Sequence, residues 1–588
     1  MTKITHSKNH IFLICNLLAA VTVAVFFCHC AQITSPSGGK KDETPPRALK
    51  YSPQNEAVNF SARTITITFD EFFVLENASE QILISPMLKP KPNFRVKGKS
   101  LVIDLKECEL QENTTYSFFF GEAIKDLHER NILHDFYYVF STGDYVDSLY
   151  INGFVHNAFD LKTQEKVFVM LYSCTNDTIP CDSLPYLVQP EYIALTREDG
   201  SFALRNLSDR SYRMFALKDQ NRNFLYDMGE EIAFLDSLIT PGAISCCNHH
   251  HDDDSLQIHS AAPRYVELFM FTEMDSTVRI LKNEVLDSVR ITLCFSRPTT
   301  DITFSVLSPS TANLPDSMPW NITAWSKEKD TATLWFPYFI NDSISLIVSH
   351  EDVALDTLIF SMKKTVAPQS GRRKQTVVEA VEPVLGITNN VAGRLPFFAA
   401  LELKFDAPVY SWNMDRVLFY VDNDTVGVSP PPFRASDDFF QRRTFDYKFK
   451  EKTSYKMLIP SGTFTDILGR SNDTTMISFT TDDPEIYGAL TLELTVPDNT
   501  PPLLLQLLTE KELILQQHTV LNSGKIDFGY LKPGKFLLKV IYDANQNNKW
   551  DTGHYLMQIL PESVRYFDKV VEIRANWDIE EEWELPND

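Results

Sequence analysis

Two stretches of this 588-residue chain match each other in a fixed register. Each opens on glycine, continues through alternating apolar strands, and ends in a loop of Asp and Asn residues. Every matching pair is separated by 324 positions: Gly200/Gly524, Phe202/Ile526, Leu204/Phe528, Leu207/Leu531, Tyr212/Phe536, Asp219/Asp543, Asn221/Asn545, Asn223/Asn547, Asp227/Asp551 and Gly229/Gly553. A repeat in constant register indicates a duplicated folding unit, so the chain contains at least two domains of the same kind.

A second, looser repeat precedes each of these stretches. Alternating strand patterns at Thr64–Asp70 and Leu401–Asp406 are each followed by a Thr-Tyr strand, an aspartate turn and a closing Phe-x-Thr segment. The offsets between the two sets run from 336 to 340, so small gaps are needed. Unrelated β-sandwiches can share such patterns, but order and spacing both hold here, which favours a second duplication.

Helix patterns are close to absent, and short β-rich runs between turn residues are typical of antiparallel sandwiches. The looser repeat resembles the S-layer-type bacterial Ig-like domain, and the fixed repeat resembles the small transthyretin-like or carboxypeptidase-regulatory-like sandwich. We therefore predict an all-β, multidomain chain of such sandwiches. The predicted segments are a signal peptide (1–29), a flexible tether (30–46), an Ig-like sandwich (47–145), a transthyretin-like sandwich (146–243), a linker (244–261), a middle β-domain (262–363), a linker (364–382), a second Ig-like sandwich (383–483) and a second transthyretin-like sandwich (484–588).

Composition limits the classes of partner. The formal net charge is −23, and no local run of Lys or Arg offsets it. A surface with negative charge spread over it disfavours nucleic acid and anionic lipid surfaces as partners, because both are negatively charged. Apolar residues make up 44% of the chain, which is enough for packed cores and excludes a disordered chain.

The N-terminus is typical of a targeting segment, because Lys3 and Lys8 precede an apolar run from Ile11 to Phe27. An uncleaved transmembrane anchor is the alternative, since this run is just short of a usual membrane span. Cys30 and the Gly/Pro/charged stretch after it resemble the mature start of Bacteroidetes-type outer-membrane lipoproteins with Ig-like domains. That resemblance implies lipidation of Cys30 and a lipid anchor in the outer membrane, on its periplasmic or its cell-surface face.

The fixed repeat ends in an Asp-x-Asn-x-Asn-x-x-x-Asp-x-Gly loop, whose oxygen side chains can converge on a hard cation. In the first loop, positions one, three, five, nine and twelve of a calcium loop are Asp219, Asn221, Asn223, Asp227 and Glu230. Position six, usually Gly, is Phe224, and the second loop has His554 in place of the carboxylate at position twelve. We predict calcium chiefly in the first loop. The alternative is a polar loop whose Asp and Asn side chains bond their own backbone through Asx turns.

Cysteine and histidine give two further predictions. The first transthyretin-like segment has surplus residues around 173–191 that include Cys174 and Cys181, and an exported chain can pair these or leave them as free thiols. The run from Cys246 to Asp254 mixes thiols with imidazoles, but adjacent residues do not easily close a metal tetrahedron. We interpret that run as a solvated linker.

The sequence has no phosphate loop, nucleophile elbow or zinc-protease motif, so we predict no enzyme and no catalytic residue. The leading function is a non-catalytic, lipid-anchored envelope protein that acts as a structural or interaction module. Its partners would be the membrane and an unknown envelope protein or glycan. The alternative is a lipoprotein that binds or processes polysaccharide. An exposed row of aromatic residues would favour this alternative. Trp320, Trp325 and Trp335 are the candidates for that row.

Overall fold

The computed structural model of the chain describes residues 41–174, 179–242, 265–274, 277–287, 289–299, 301–308, 320–336, 343–361, 384–422, 430, 432–435 and 441–586. The predicted signal segment, Cys30 and the Cys246–Asp254 run lie outside these residues. Strands account for 50% and helices for 4% of the structure, which confirms the predicted all-β class. Two compact units divide the chain, one ending at Asp147 and the other beginning at Ser148.

No helix among the described residues is long enough and apolar enough to cross a membrane.

The first unit is a β-sandwich built on alternating strands. Its elements are β1 (Ala48–Ser52), β2 (Thr64–Phe69), β3 (Phe73–Leu75), α1 (Ala78–Gln81), β4 (Leu83–Ser85), β5 (Asn93–Lys97), β6 (Ser100–Asp104), β7 (Thr115–Phe119), β8 (Ile124–Asp126) and β9 (Tyr137–Ser141). The sheet orders are β1-β2-β6-β5, β4-β7-β9 and β3-β8. Because side chains alternate along a strand, β2 places Ile65, Ile67 and Phe69 in the core.

The tether predicted for residues 30–46 ends earlier than expected. The Asn131 side-chain amide donates hydrogen bonds to the backbone oxygens of Asp42 (2.9 Å) and Thr44 (3.3 Å). These bonds hold the last residues of the predicted tether on the sandwich, which corrects the boundary drawn at Pro46.

The second unit opens with a domain that we call the first copy, residues 148–242 and 265–274. Its elements are β10 (Leu149–Asn157), β11 (Phe168–Ser173), a 3₁₀ turn (Cys181–Ser183), α2 (Leu184–Leu187), β12 (Tyr192–Leu195), β13 (Ser201–Leu207), β14 (Tyr212–Leu217), β15 (Glu231–Phe234) and β16 (Val266–Thr272). They form one sheet of order β12-β11-β14-β15-β16-β10-β13. Cys174 and Cys181 form a disulfide, so of the two alternatives for this pair the structure has the bonded one.

Strand β16 corrects the predicted boundary between the first copy and the middle domain. The sequence places residues from 262 onward in the middle domain, but β16 pairs in parallel with β10 and antiparallel with β15. Its Leu268 and Met270 are buried in the core of the first copy beside Ile151 and Val155 of β10. The first copy is therefore incomplete without a strand that lies beyond the predicted linker.

The middle domain is a two-sheet sandwich. Its strands are β17 (Ile280–Asp287), β18 (Arg290–Phe295), β19 (Ile302–Ser308), β20 (Ile322–Trp325), β21 (Thr331–Trp335), β22 (Ser343–His350) and β23 (Val353–Ser361). The sheet orders are β17-β18-β21-β20 and β19-β22-β23. The two inner faces share one apolar core, to which alternate residues of β18 and β22 contribute.

The next domain has the same strand arrangement as the first unit. Its elements are β24 (Ile387–Asn389), β25 (Arg394–Leu395), β26 (Leu401–Phe405), β27 (Val409–Trp412), a 3₁₀ turn (Met414–Arg416), β28 (Leu418–Val421), β29 (Phe433–Ala435), β30 (Arg442–Phe445), β31 (Ser454–Ile459), β32 (Phe464–Asp466) and β33 (Thr475–Thr481). The orders β24-β26-β30-β29, β25-β33-β31-β28 and β27-β32 reproduce those of the first unit, with β25 added at one edge.

A buried tyrosine marks the same corner in both of these sandwiches. The Tyr116 hydroxyl accepts a hydrogen bond from the Gln111 backbone N–H, and the Tyr455 hydroxyl accepts one from Lys450, each at 2.8 Å. A tyrosine that bonds the backbone a few residues upstream is a recurrent feature of Ig-like sandwiches. The shared corner is the structural counterpart of the looser sequence repeat.

The last domain, which we call the second copy, spans residues 484–586. Its elements are a 3₁₀ turn (Pro484–Ile486), β34 (Gly488–Thr495), β35 (Leu503–Thr509), β36 (Ile514–Val520), β37 (Gly524–Leu531), β38 (Gly534–Tyr542), β39 (Val564–Tyr566), β40 (Val571–Ile573) and β41 (Asp578–Glu584). Its sheets have the orders β37-β34-β41 and β36-β35-β38-β39, with β40 also paired to β38. The first copy has the same order, except that β15 and β16 join its two halves into one sheet.

Candidate functional site

The five residues predicted as calcium ligands lie together in one hydrogen-bonded loop after β14. The Asp219 carboxylate accepts bonds from the backbone N–H groups of Asn221, Arg222 and Phe224. The side-chain amides of Asn221 and Asn223 both donate to Asp227 Oδ2, at 2.7 and 3.0 Å. The Glu230 carboxylate closes the loop by accepting from the backbone N–H groups of Gln220 (2.9 Å) and Asp227 (3.1 Å).

The second loop repeats this network with one different residue. Its Asp543 carboxylate accepts from the backbone of Asn547 and Asn548, and Asn545 and Asn547 donate to Asp551 Oδ2. The closing carboxylate is Glu562, whose two oxygens accept from the backbone of Ala544 (2.9 Å) and Asp551 (3.1 Å). These two N–H donors are 324 positions from the donors to Glu230.

The expectation that the second loop lacks its closing carboxylate is therefore wrong. Glu230 follows Asp227 by three residues, whereas Glu562 follows Asp551 by eleven. The chain between them carries eight extra residues, so the constant offset of the repeat points to His554 instead of Glu562. Both loops have the same three carboxylates and two asparagines.

The backbone of the two loops is also the same, including two residues in the left-handed region. Arg222 and Phe224 have φ of 59° and 60°, and their counterparts Gln546 and Asn548 have φ of 61° and 62°. Position six of a calcium loop is usually Gly because the turn there is sharp. Phe224 adopts a left-handed conformation although it is not Gly, and its ring packs edge-on against Phe168.

These hydrogen bonds are those of the Asx-turn alternative, and they satisfy the loop without an ion. Calcium remains a prediction, and the equivalent networks extend it to both loops. At a calcium concentration of about ten times the dissociation constant, calcium binding to each loop would increase the folding stability by about 1.4 kcal/mol. The test is thermal unfolding of the full chain in millimolar calcium and in chelator, because a fragment ending at residue 243 would lack β16.

The matched variants are Glu230→Gln and Glu562→Gln. Each should remove one half of the calcium-dependent increase in stability, since both residues close equivalent networks. An unchanged melting curve in calcium would leave both loops as hydrogen-bonded turns.

The eight extra residues of the second loop form a hairpin that docks on the first copy. His554 and Ile559 pair across it, and Tyr555 at its base is fully buried. The Tyr555 ring packs against Phe215 (4.9 Å between ring centroids), Phe234 (5.0 Å) and Tyr186 (6.1 Å) of the first copy. We call this contact the inter-copy junction.

Glu273, just after β16, is the polar centre of the junction. Its side chain is buried, and its carboxylate accepts hydrogen bonds from the Tyr226 hydroxyl and from the Tyr555 backbone N–H (2.6 Å). His554 Nδ1 lies 3.4 Å from the same carboxylate. Tyr226 belongs to the first Asp/Asn loop and Tyr555 follows the second, so one carboxylate connects the two loops. A buried carboxylate is stable only when such partners satisfy it.

A buried lysine forms a second part of the junction. Lys539 of β38 is 1% exposed, and its ammonium donates to the backbone oxygen of Phe159 in the first copy at 2.6 Å. The same ammonium lies 3.3 Å from the centroid of the Phe159 ring. Beside it, Lys162 of the first copy forms an ion pair with Glu512 of the second copy at 2.6 Å.

Burial lowers the pKa of Lys539 from its ordinary value of 10.5 to about 8, against the opposing charges of Glu512 and Asp160. The folded chain therefore binds fewer protons than the unfolded chain between pH 8 and pH 10.5, so stability should rise with pH in this window. Between pH 8 and pH 10.5, the free energy of unfolding of the native chain should rise by no more than about 3 kcal/mol relative to that of Lys539→Met. Urea unfolding of both proteins across this range is the measurement. A difference that is constant with pH would contradict the shift.

The three tryptophans that were predicted to form an exposed row do not form such a row. Trp335 is buried, with the Arg290 guanidinium 4.9 Å from its ring. Trp320 and Trp325 are half-buried and pack on Phe336 and Phe295 in the core of the middle domain. Trp335 lies on the face of β21 opposite Leu334 and packs in the apolar cluster of the next domain, whereas Trp320 and Trp325 pack in the middle domain. None of the three belongs to an exposed row, so the prediction of a sugar-binding row at this place is wrong.

One group of possible metal ligands was missed by the sequence analysis. The ligand atoms of Asp301, His350 and Glu351 lie within 4.8 Å of one another, where β19 begins and β22 ends. Antiparallel pairing brings these residues together, and no sequence motif announces it. Among the described residues no second feature points to an ion here, and we assign the group no role.

Comparisons with known proteins bear on part of the chain. The family model of the bacterial Ig-like domain matches residues 42–142, which is the sandwich of the first unit. No curated protein matches the chain.

Solved structures with some similarity include domains 1–6 of the surface layer protein SbsC, at 11% identity over 92% of this chain and 68% of that one, with a TM-score of 0.13. The major pilin subunit BcpA of Bacillus cereus is 8% identical over 74% of this chain and 99% of its own, with a TM-score of 0.14. An L,D-transpeptidase from Mycobacterium smegmatis is 13% identical over 29% of this chain and 76% of its own, with a TM-score of 0.13. At these TM-scores none of the three supports an inference about function.

Proposed function

We propose that this chain is a non-catalytic, lipid-anchored protein of the cell envelope that acts as a structural and interaction module. The observation that carries this proposal is the inter-copy junction. An insertion present in only the second copy buries Tyr555 in the first copy, and a buried glutamate and a buried lysine bond across the contact. Buried aromatic and hydrogen-bonded ionisable residues at a contact between two domains hold these domains in one fixed arrangement.

The buried ionisable groups support a role without catalysis. The Glu273 carboxylate is engaged by Tyr226 and Tyr555, and Lys539 by the Phe159 carbonyl. An open groove of about 410 Å³ lies between β36 and β37. There Asp527 bonds Thr491, and the His518 ring packs on Phe528. Glu273, Lys539 and Asp527 therefore each bond a group of the protein itself.

The lipid anchor and the outer-membrane location rest on Cys30, on the apolar run before it and on the family-like tether after it. A tethered chain of several sandwiches would hold its domains away from the bilayer. One acyl chain binds a membrane only marginally, so a stable anchor requires more than one. Fractionation of cells that carry Cys30→Ser tests the anchor.

A further inference from the structure

Four aromatic side chains form a continuous row on the outer face of the first copy. Tyr265, Phe154, His156 and Phe269 follow one another across the parallel strands β10 and β16, and we call them the ring row. Their successive centroids are 5.8, 6.3 and 6.0 Å apart, and successive ring planes differ by 50°, 25° and 32°. Tyr265 is 59% exposed and Phe269 is 37% exposed.

Strand alternation explains why these rings face outward. Val155 of β10 and Leu268 of β16 are buried in the core, so the residues on either side of each point away from it. The next outward residue of β16 is Phe271, which is buried against Phe234 and lies where Gly553 of the second copy approaches. The ring row thus begins where the inter-copy junction ends, and both strands that carry it are held in place.

The second copy has the same strands without the rings. Phe202 and Ile526 are equivalent in the repeat. In the first copy, Phe202 pairs with Gly153, which pairs with Val266. In the second copy, Ile526 pairs with Leu492, which pairs with Glu581. This register makes Glu493, Glu580 and Glu584 the counterparts of Phe154, Tyr265 and Phe269, respectively. One copy therefore presents aromatic rings where the other presents carboxylates, so the fold does not require rings at these positions.

A partly exposed aromatic strip with a polar side chain on each strand fits a ligand that is apolar on its face and polar at its edges. Pyranose rings have this character, because their C–H faces stack on aromatic rings and their hydroxyls point to the rim. Asn152 shares the outward face of β10, and the exposed Glu267 lies between Tyr265 and Phe269, so both can bond hydroxyl groups. The net charge of −23 disfavours a polyanionic glycan.

We propose that the ring row is a binding site for a neutral polysaccharide chain, whose sugar rings stack on Tyr265, Phe154 and Phe269. The proposal gives a ligand class to the interaction module proposed above, and it requires only that this face be accessible. It does not depend on how the chain is anchored.

The test is affinity gel electrophoresis of the full chain in a polyoxyethylene detergent, since glycoside detergents would compete. The gels contain hydroxyethylcellulose, xyloglucan or galactomannan as neutral probes, or alginate as a polyanionic probe. At least one neutral polysaccharide should retard the protein, and alginate should not. Tyr265→Ala and Phe269→Ala should each weaken binding about tenfold.

Tyr410→Ala is the matched control, because Tyr410 is 61% exposed and lies in another domain. It should bind as the native chain does, and unchanged melting curves will show that the three variants are folded. Migration unaffected by all three neutral polysaccharides would overturn the proposal, as would equal retardation of the native chain and both ring-row variants. Stronger retardation by alginate would overturn it as well. Failure of this test leaves the result of the Cys30 fractionation unchanged, so the two proposals fail separately.

Discussion

Replacing Tyr555 with alanine should undock the two copies and remove about 3 to 5 kcal/mol of stability. This is the usual loss when a large buried aromatic side chain is truncated. The Tyr555 ring is fully buried and touches Phe215, Phe234 and Tyr186 of the first copy, so a cavity would open in the junction. Urea unfolding followed by tryptophan fluorescence is the measurement, because Trp550, one of the 7 tryptophans, contacts Phe159 across the same junction.

Leu556→Ala is the control for this prediction. Leu556 is the next residue of the same hairpin and is 57% exposed. An exposed substitution of this kind changes stability by no more than about 0.5 kcal/mol. Equal unfolding curves for Tyr555→Ala and Leu556→Ala would mean that the hairpin does not hold the copies together.

Replacing Cys30 with serine should move the protein from the membrane fraction to the soluble fraction. A serine hydroxyl cannot accept the thioether-linked lipid, and with no acyl chains the acidic chain has little affinity for a bilayer. The measurement is immunoblotting of membrane and soluble fractions from cells that express each form.

Cys28→Ser is the matched control, and it should remain in the membrane fraction. If Cys30→Ser also remains there with its N-terminus intact, the apolar run from Ile11 to Phe27 is a transmembrane helix. That outcome would end the lipoprotein proposal and would leave the structural account of the domains unaffected.

The sequence predicts the all-β class and the repeated loops because these depend on local patterns. Strand alternation of period two and the spacing of Asp219, Asn221, Asn223 and Asp227 are readable without knowing any distant contact. Apart from the closing carboxylates Glu230 and Glu562, the repeated Asp and Asn side chains bond groups no more than 6 positions away. Their geometry therefore follows from residues that are close in sequence.

Three other features depend on contacts between residues that are far apart. Strand β16 completes the first copy by parallel pairing with β10, and such pairing leaves no local mark in the sequence. Glu562 was missed because the inserted hairpin shifts it from the constant offset of the repeat. Tyr555 looks like any loop tyrosine until the first copy is placed against it.

The exposure of the aromatic residues also depends on contacts between residues that are far apart in sequence. Tryptophans of the middle domain were expected on the surface, yet Trp335, on the outer face of β21, is buried against the next domain of the chain. The exposed rings are instead Tyr265 and Phe269, just before and within β16, beside half-buried rings of β10, and only the fold reveals how these two strands pair. An exposed row across two strands cannot be found from one strand at a time.

Hydrogen exchange at the backbone amide of Tyr555 in the native chain is the most direct test that the two copies form one docked unit. This amide lies in a short hairpin, donates to the buried Glu273 carboxylate at 2.6 Å, and has local pairing only between His554 and Ile559. A docked junction predicts exchange as slow as in the core strand β38, because the amide is released only when the copies separate. Exchange as fast as in an exposed loop would contradict docking and, with it, the proposed structural role.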